Sequence, residues 1–301
     1  LSSSSAASDV YKRQRQVVTA ALLLCASAAG TARGDEATQL AKLINSHREA
    51  GQGCGGQASP AAGPLAPDRR LAGQQVNSSE QLQQALQQAG YQAAAVQLIR
   101  VTGPDTPEAA MAMLQQSYCK QLQDAQFADI GVLHEGNSWQ VVLGRALLPA
   151  RLGDWQEGGK AILEAVNQAR GTPRQCGDQP FDAAEPLSWS DALGQAALAH
   201  SRDMAMNSLF SHQGSDRSLV GARATAAGYT WTVIGENIAA GQGRAQQVVE
   251  GWLASPSHCY NLMNPDFHEM GAAYASNPQS QATIYWTCLL YTSPSPRDRQ
   301  K

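Results

Sequence analysis

Apolar side chains recur along this chain first at helical and then at strand spacing, and the alternation runs through twice. Leu40, Leu43, Ile44 and His47 return at helical intervals and predict a helix over residues 38–49. Residues 51–67 read as loop. Leu82, Ala85, Leu86 and Ala89 line one face of an amphipathic helix at 79–89, whose glutamines make a solvated face. Residues 94–101 suit a strand. Thr106-Pro107 opens a helix that runs through Leu114, with proline in its first turn. Residues 130–133 and 139–143 read as strands paired around the turn 135–138.

In the second half, helices are expected at 161–170, 191–208, 218–227 and 245–254. Ser190 is the expected N-cap of the second of these, and Gly228 ends the third. Leu193, Ala197, His200 and Met204 share one face, which assigns His200 to the core. Asn264-Pro265-Asp266-Phe267 reads as a turn, followed by closing strands at 271–275 and 283–287. Helices and antiparallel strands mixed in this way predict an α+β fold.

The two halves share landmarks. Asn45 to Cys54 has the same spacing as Asn167 to Cys176, and Ala61-Ala62-Gly63-Pro64-Leu65 matches Ala183-Ala184-Glu185-Pro186-Leu187. Ala89-Gly90-Tyr91 matches Ala227-Gly228-Tyr229. Cys119 to Phe127 is spaced like Cys259 to Phe267, and both run on to a glycine, Gly131 or Gly271. This predicts two tandem copies of one unit, residues 36–150 and 158–287, joined near 148–158, the first shortened.

The ends of the chain change the picture. Residues 9–14, back-translated as GAT GTG TAT AAG AGA CAG, have a reverse complement that encodes Cys-Leu-Leu-Tyr-Thr-Ser one base out of step. That is the sequence of residues 288–293. Residues 1–14 and 288–301 are therefore expected to be translated adapter scars outside the fold, with Cys288 not native and the last strand cut near Thr287. Arg15 and the apolar run 17–29, followed by small residues, read as a truncated signal peptide over 15–34 and predict export to the periplasm or the extracellular space. Cys25 follows Leu24, whereas a lipoprotein box would want a small residue there. No internal segment is long and apolar enough to span a bilayer. The formal charge of −3 becomes −6 without the scars, which carry a net +3, and that acidity argues against a nucleic-acid or anionic-membrane binder.

Setting aside Cys25 and Cys288 leaves Cys54, Cys119, Cys176 and Cys259. An even number in an exported chain suggests two disulfides. The repeat pairs Cys54 with Cys119 and Cys176 with Cys259, one bridge per unit. A zinc site is the rival, but there is no Cys-x-x-Cys pair.

Candidate chemistry concentrates between Phe210 and Gly271. Phe210-Ser211-His212-Gln213-Gly214, Gly235-Glu236-Asn237-Ile238-Ala239 and Ser255-Pro256-Ser257-His258-Cys259 each carry one polar residue between turn formers and apolar neighbours. Together with Leu187-Ser188-Trp189, Asn261-Leu262-Met263-Asn264-Pro265 and Phe267-His268-Glu269-Met270-Gly271, they resemble the CAP superfamily (cysteine-rich secretory protein, antigen 5, pathogenesis-related 1), in its bacterial secreted SCP-like branch. The resemblance covers residues 158–287. It implies a three-layer α-β-α sandwich and a cleft lined by His212, Glu236 and His258, with His212 and His258 as ligands for zinc or another divalent cation. The family's second acid is not matched after Trp252, and Glu269 is the nearest candidate. Catalysis would fall to Glu236 or Glu269. Tyr118 stands where His258 does, and Leu98 about where Glu236 does, so the first unit is expected to keep the scaffold without the site.

Two neutral imidazoles and a carboxylate suit a divalent ion, and a carboxylate beside an imidazole suits acid–base work. There is no Gly-x-Ser-x-Gly, His-Glu-x-x-His or phosphate-cradling glycine loop. The leading expectation is an exported module that binds a lipid, another small hydrophobic molecule or an envelope component. A metal-dependent hydrolase and a non-catalytic envelope protein are the alternatives.

Overall fold

A computed structural model describes residues 35–292, apart from 52, 57–60, 74 and 149–152. The expected signal segment at 15–34 and the far termini lie outside the described residues. The described chain is α+β and builds two units, each around a four-stranded sheet.

The first unit contains helix α1 (residues 35–49), β1 (Ala66–Pro67), α2 (Ser79–Gln88), β2 (Ala93–Thr102), α3 (Pro107–Leu122), β3 (Asp129–Glu135) and β4 (Ser138–Ala146). Its strand order is β1-β3-β4-β2. Leu40 and Ile44 of α1 and Leu114 of α3 bury one face of the sheet, against Ile99, Val101 and Val141. Leu82 and Leu86 of α2 cover the other, against Val142. α3 outruns its expected end at Leu114, although Tyr118 departs from helical geometry (φ −131°, ψ 20°).

The second unit contains α4 (Trp155–Arg170), the ribbon β5 (Arg174–Cys176) and β6 (Gln179–Phe181), β7 (Ser188–Trp189), α5 (Asp191–Asn207), α6 (Val220–Ala226), β8 (Val233–Ala240), α7 (Ala245–Leu253), α8 (Pro256–Met263), β9 (Glu269–Ser276) and β10 (Ile284–Thr292). Its strand order is β7-β9-β10-β8. Helices cover both faces. Leu193 and Ala197 of α5 pack on Ala273, Leu289 and Tyr291. Ile162 of α4, Trp252 of α7 and Leu262 of α8 pack on Met270, Ala272 and Trp286. Gly271 has no room for a side chain, because a Cβ there would lie 2.2 Å from the Gly194 nitrogen. Asp154 caps α4, which therefore starts earlier than the expected residue 161. Ser190 caps α5 by accepting from the Leu193 N–H, as its position predicts.

One buried arginine ties each unit together, and in the same way. Arg170, fully buried at the end of α4, donates to the carbonyls of Glu185, Leu262, Asn264 and Phe267. Arg48, at the end of α1, donates to those of Gly63, Leu122, Asp124 and Phe127. Asn45 exchanges two hydrogen bonds with Leu65, and Asn167 does so with Leu187. The disulfides are Cys54–Cys119 and Cys176–Cys259. In the first sheet Gly131, Val142 and Leu98 share a rung; in the second, Gly271, Leu289 and Glu236 do.

One expectation changes, and two unassigned runs prove to be regular elements. The closing strand does not stop near Thr287: residues 288–292, expected to lie outside the fold, complete β10 and pair with both β8 and β9. Cys288, Leu289, Leu290 and Tyr291 are fully buried. An apolar, β-prone run continues the alternation and satisfies backbone groups of both neighbours, which would otherwise be left open. The Gly-Glu-Asn run at 235–237, unassigned from the sequence, is strand β8. Residues 256–263, also unassigned, are helix α8.

The units dock through α7 and the loops around it. Gln242 donates to the carbonyls of Pro64 and Ala128, Asn45 to that of Ala254, and Gln247 to Asp129.

Replacing Arg170 with Met should leave several buried carbonyls without donors. At about 1–3 kcal/mol for each unsatisfied group, denaturant unfolding should register a loss above about 3 kcal/mol. A loss under about 1 kcal/mol would contradict the bracing role.

Candidate functional site

β8 is an edge strand, bonded only to β10. Successive residues of a strand point to opposite faces. Glu236 turns toward the α5–α6 side and Asn237 toward α8, where its amide donates to the His258 carbonyl. Just before them, position 235 has little room for a side chain, since a Cβ there would lie 2.9 Å from the Phe267 ring. Asn261 of α8 donates to the Asn237 side chain and the Glu236 carbonyl, which fastens α8 to the strand. The Cys176–Cys259 bridge holds the middle of α8, and Arg170 holds its far end.

Glu236 is almost fully buried, and both its oxygens are engaged. His212 Nδ1 lies 2.8 Å from Oε1, and Arg223 donates to Oε2 at 2.5 Å. Burial alone would raise the Glu236 pKa. The hydrogen bond from His212 and the nearby charges of His200, Arg223 and His212 outweigh it, and the net shift is downward. Glu236 is therefore ionised. A carboxylate only accepts, so His212 Nδ1 carries a proton, and Nε2 is the nitrogen left for a ligand. Arg223 also donates to the His212 carbonyl and fixes the loop.

His258 is buried on α8, with Nδ1 2.8 Å from Ser255 Oγ. Burial pushes its pKa down to about 4; Glu49 opposes that shift and His212 adds to it. The ring is neutral at neutral pH, and it is near enough to feel the charge of His212. The structure thus sets His212 against Glu236 and places His258 on α8, whose backbone is bonded to the next residue of the same strand. Glu269 stands apart at the start of β9, where it accepts a hydrogen bond from Tyr229. His200 is a core histidine, as its helix face predicts. Its Nε2 donates to the Ser211 carbonyl and positions the loop that carries His212, and burial lowers its pKa.

Sequence reasoning missed Arg223, Asn237, Asn261, Ser255 and Glu49. Asn237, Ser255 and Asn261 lie inside runs already singled out. Arg223 and Glu49 carry no local signal. Glu49, from α1 of the first unit, accepts hydrogen bonds from Ser255 and Ser257. Among the described residues, no group of three His, Cys, Asp or Glu is assembled as a metal cage. Of the donor types that zinc commonly takes, these residues offer the two imidazoles.

A family profile, the cysteine-rich secretory protein family (CAP), matches residues 163–290. The chain is 32% identical over 93 residues to the uncharacterized protein YkwD of Bacillus subtilis, covering 31% of this chain and 36% of that one. It is 33% identical over 85 residues to the uncharacterized membrane protein YlbC of the same organism, covering 28% of this chain and 25% of that one. It thus spans about a third or less of either relative. An extracellular SCP-domain protein of Bacillus anthracis is similar in structure, at 20% identity and a TM-score of 0.39, with 53% of each chain covered.

The pKa of His258 sets a pH dependence. In the unfolded chain it titrates near 6.5, and in the folded chain near 4. Its contribution is fully present above pH 6.5 and is lost as pH falls toward 4, about 3 kcal/mol in all. His200 and His47, also lowered by burial, act in the same direction. His258→Asn should flatten the stability profile between pH 6.5 and 4 in denaturant titrations. An unchanged slope would mean that the ring is not held neutral by burial.

Proposed function

We propose, from the match of residues 163–290 to the CAP family, that the chain is an exported binding module whose ligand site is the edge of β8. The observation that carries this is the disposition of the two rings. Nδ1 of His212 is committed to Glu236 and Nδ1 of His258 to Ser255, which leaves Nε2 of each ring for a ligand. A divalent cation would be held by those two nitrogens and would supply Lewis acidity when bound.

Binding is favoured over hydrolysis by the state of Glu236. Both its oxygens are occupied and its pKa is lowered, so it is a poor general base. An apolar ligand has a neighbouring cavity of about 460 Å³ between the units, lined in part by Gly63, Leu209, Phe210, Ala240 and Tyr285. Phe210 lies two residues before His212.

The two units are read as copies of one three-layer sandwich. The matching arginine braces, asparagine clasps, bridges and sheet orders support this. Leu98 and Tyr118 occupy the places of Glu236 and His258, so the first unit lacks the pair of ligand groups. The apolar run at 17–29 supports export.

Calorimetric titration of Zn²⁺ into the full chain tests the site, beside the His212→Ala/His258→Ala double variant. Micromolar binding that disappears in the variant is the expected result. Equal heats in the two proteins would overturn the imidazole pair as a cation site.

A further inference from the structure

Ser255 occupies the N-cap position of α8 but makes no capping hydrogen bond. Serine is among the preferred capping residues, and this hydroxyl is diverted elsewhere. It donates to Glu49 Oε2 at 2.9 Å and lies 2.8 Å from His258 Nδ1. Glu49 belongs to α1 of the first unit, 206 residues away in sequence. Its other oxygen, Oε1, accepts from Ser257. Glu49 Oε2 itself is 3.9 Å from His258 Nδ1, too far for a direct hydrogen bond.

We propose that Glu49 of the first unit is a positioning residue for His258 of the second, acting through the hydroxyl of Ser255 to fix which ring nitrogen carries the proton. A hydroxyl has one proton and two lone pairs. The Glu49 carboxylate can only accept, so it claims the Ser255 proton. Ser255 then offers His258 only a lone pair, and Nδ1 must be the N–H. The neutral ring is left with its lone pair on Nε2. Remove the carboxylate, and Ser255 is free to turn, donate to Nδ1 or cap α8. The ring then carries its proton on Nε2 and presents a donor where it had presented a ligating nitrogen.

This makes the first unit part of the site. It lacks the ligand pair, yet it sets the polarity of one of the two rings across the docking surface. Partners of this outer kind are worth about 10–100-fold in metal affinity where they orient a ligating histidine. The inference takes the cleft as the ligand site from the preceding reading, but the tautomer itself does not depend on whether anything binds.

The test uses the full chain, labelled with ¹⁵N at histidine and free of metal at neutral pH. Long-range ¹H–¹⁵N correlation reads the tautomer of His258, whose signals are assigned by their loss in His258→Gln. In the parent protein the proton is expected on Nδ1. Glu49→Ala should move it to Nε2 or to a mixture, while thermal unfolding remains cooperative. Glu49→Gln, whose side-chain carbonyl still accepts from Ser255, should keep it largely on Nδ1. If Glu49→Ala fails to fold, Ser255→Ala breaks the same relay with Glu49 in place and should release the proton from Nδ1. A proton on Nε2 in the parent, or on Nδ1 after loss of Glu49 or Ser255, would overturn the proposal.

Zn²⁺ titration separates the two claims. Affinity should fall by about tenfold in Glu49→Ala. Zinc binding absent from the parent, with the tautomer change intact, would remove the cation reading and leave the relay standing. Zinc binding with equal affinity in both proteins would deny the relay any role in the site.

Discussion

The guanidinium of Arg170 is the interaction on which the second unit depends most. It gathers four backbone carbonyls from three stretches of chain: the loop before β7, the end of α8 and the turn before β9. Each carbonyl lies where a helix or strand has stopped supplying backbone partners, and a buried carbonyl without a donor is costly. One planar, permanently charged group with five N–H donors can satisfy them together, which lysine cannot do. Arg48 performs the same task in the first unit, where burial pushes its pKa down to about 10, far above physiological pH.

That bracing reaches the site through α8. The helix is pinned at its far end by Arg170, in the middle by Cys176–Cys259, along one side by Asn237 and at its start by Glu49. His258 is thus held on an element fastened at four points. His212 is held on a loop by His200, Arg223 and Glu236. The two rings are fixed by different devices on the two sides of an edge strand. In both, hydrogen bonding commits Nδ1 and spares Nε2. The Glu236 carboxylate beside His212 is held ionised by Arg223 and His212, which makes it a poor proton acceptor.

The sequence made much of this legible. Helical periodicity placed α1, α2, α5 and α7 closely, and the spacing of landmarks paired the four cysteines as the structure pairs them. Of the three residues singled out, His212 and Glu236 meet directly, and His258 lies on the helix bonded to Asn237. β8 escaped because Gly235, Glu236 and Asn237 interrupt the alternation that marks a strand. α8 escaped because its serines and proline read as turn residues. The end of β10 was misjudged because the origin of a segment was allowed to decide its pairing, whereas hydrogen bonding responds only to side chains and open strand edges. Glu49 was invisible for a different reason: its role exists only once the two units have docked.

The account rests on the claim that hydrogen bonding, not chance, sets the protonated nitrogen of each ring. Imidazole ¹⁵N chemical shifts of the full chain at neutral pH, compared across His200, His212 and His258, test it most directly. His212 and His258 should carry a proton on Nδ1, and His200, which donates to the Ser211 carbonyl, on Nε2. His258 with its proton on Nε2, or His212 with none on Nδ1, would contradict the account at its centre.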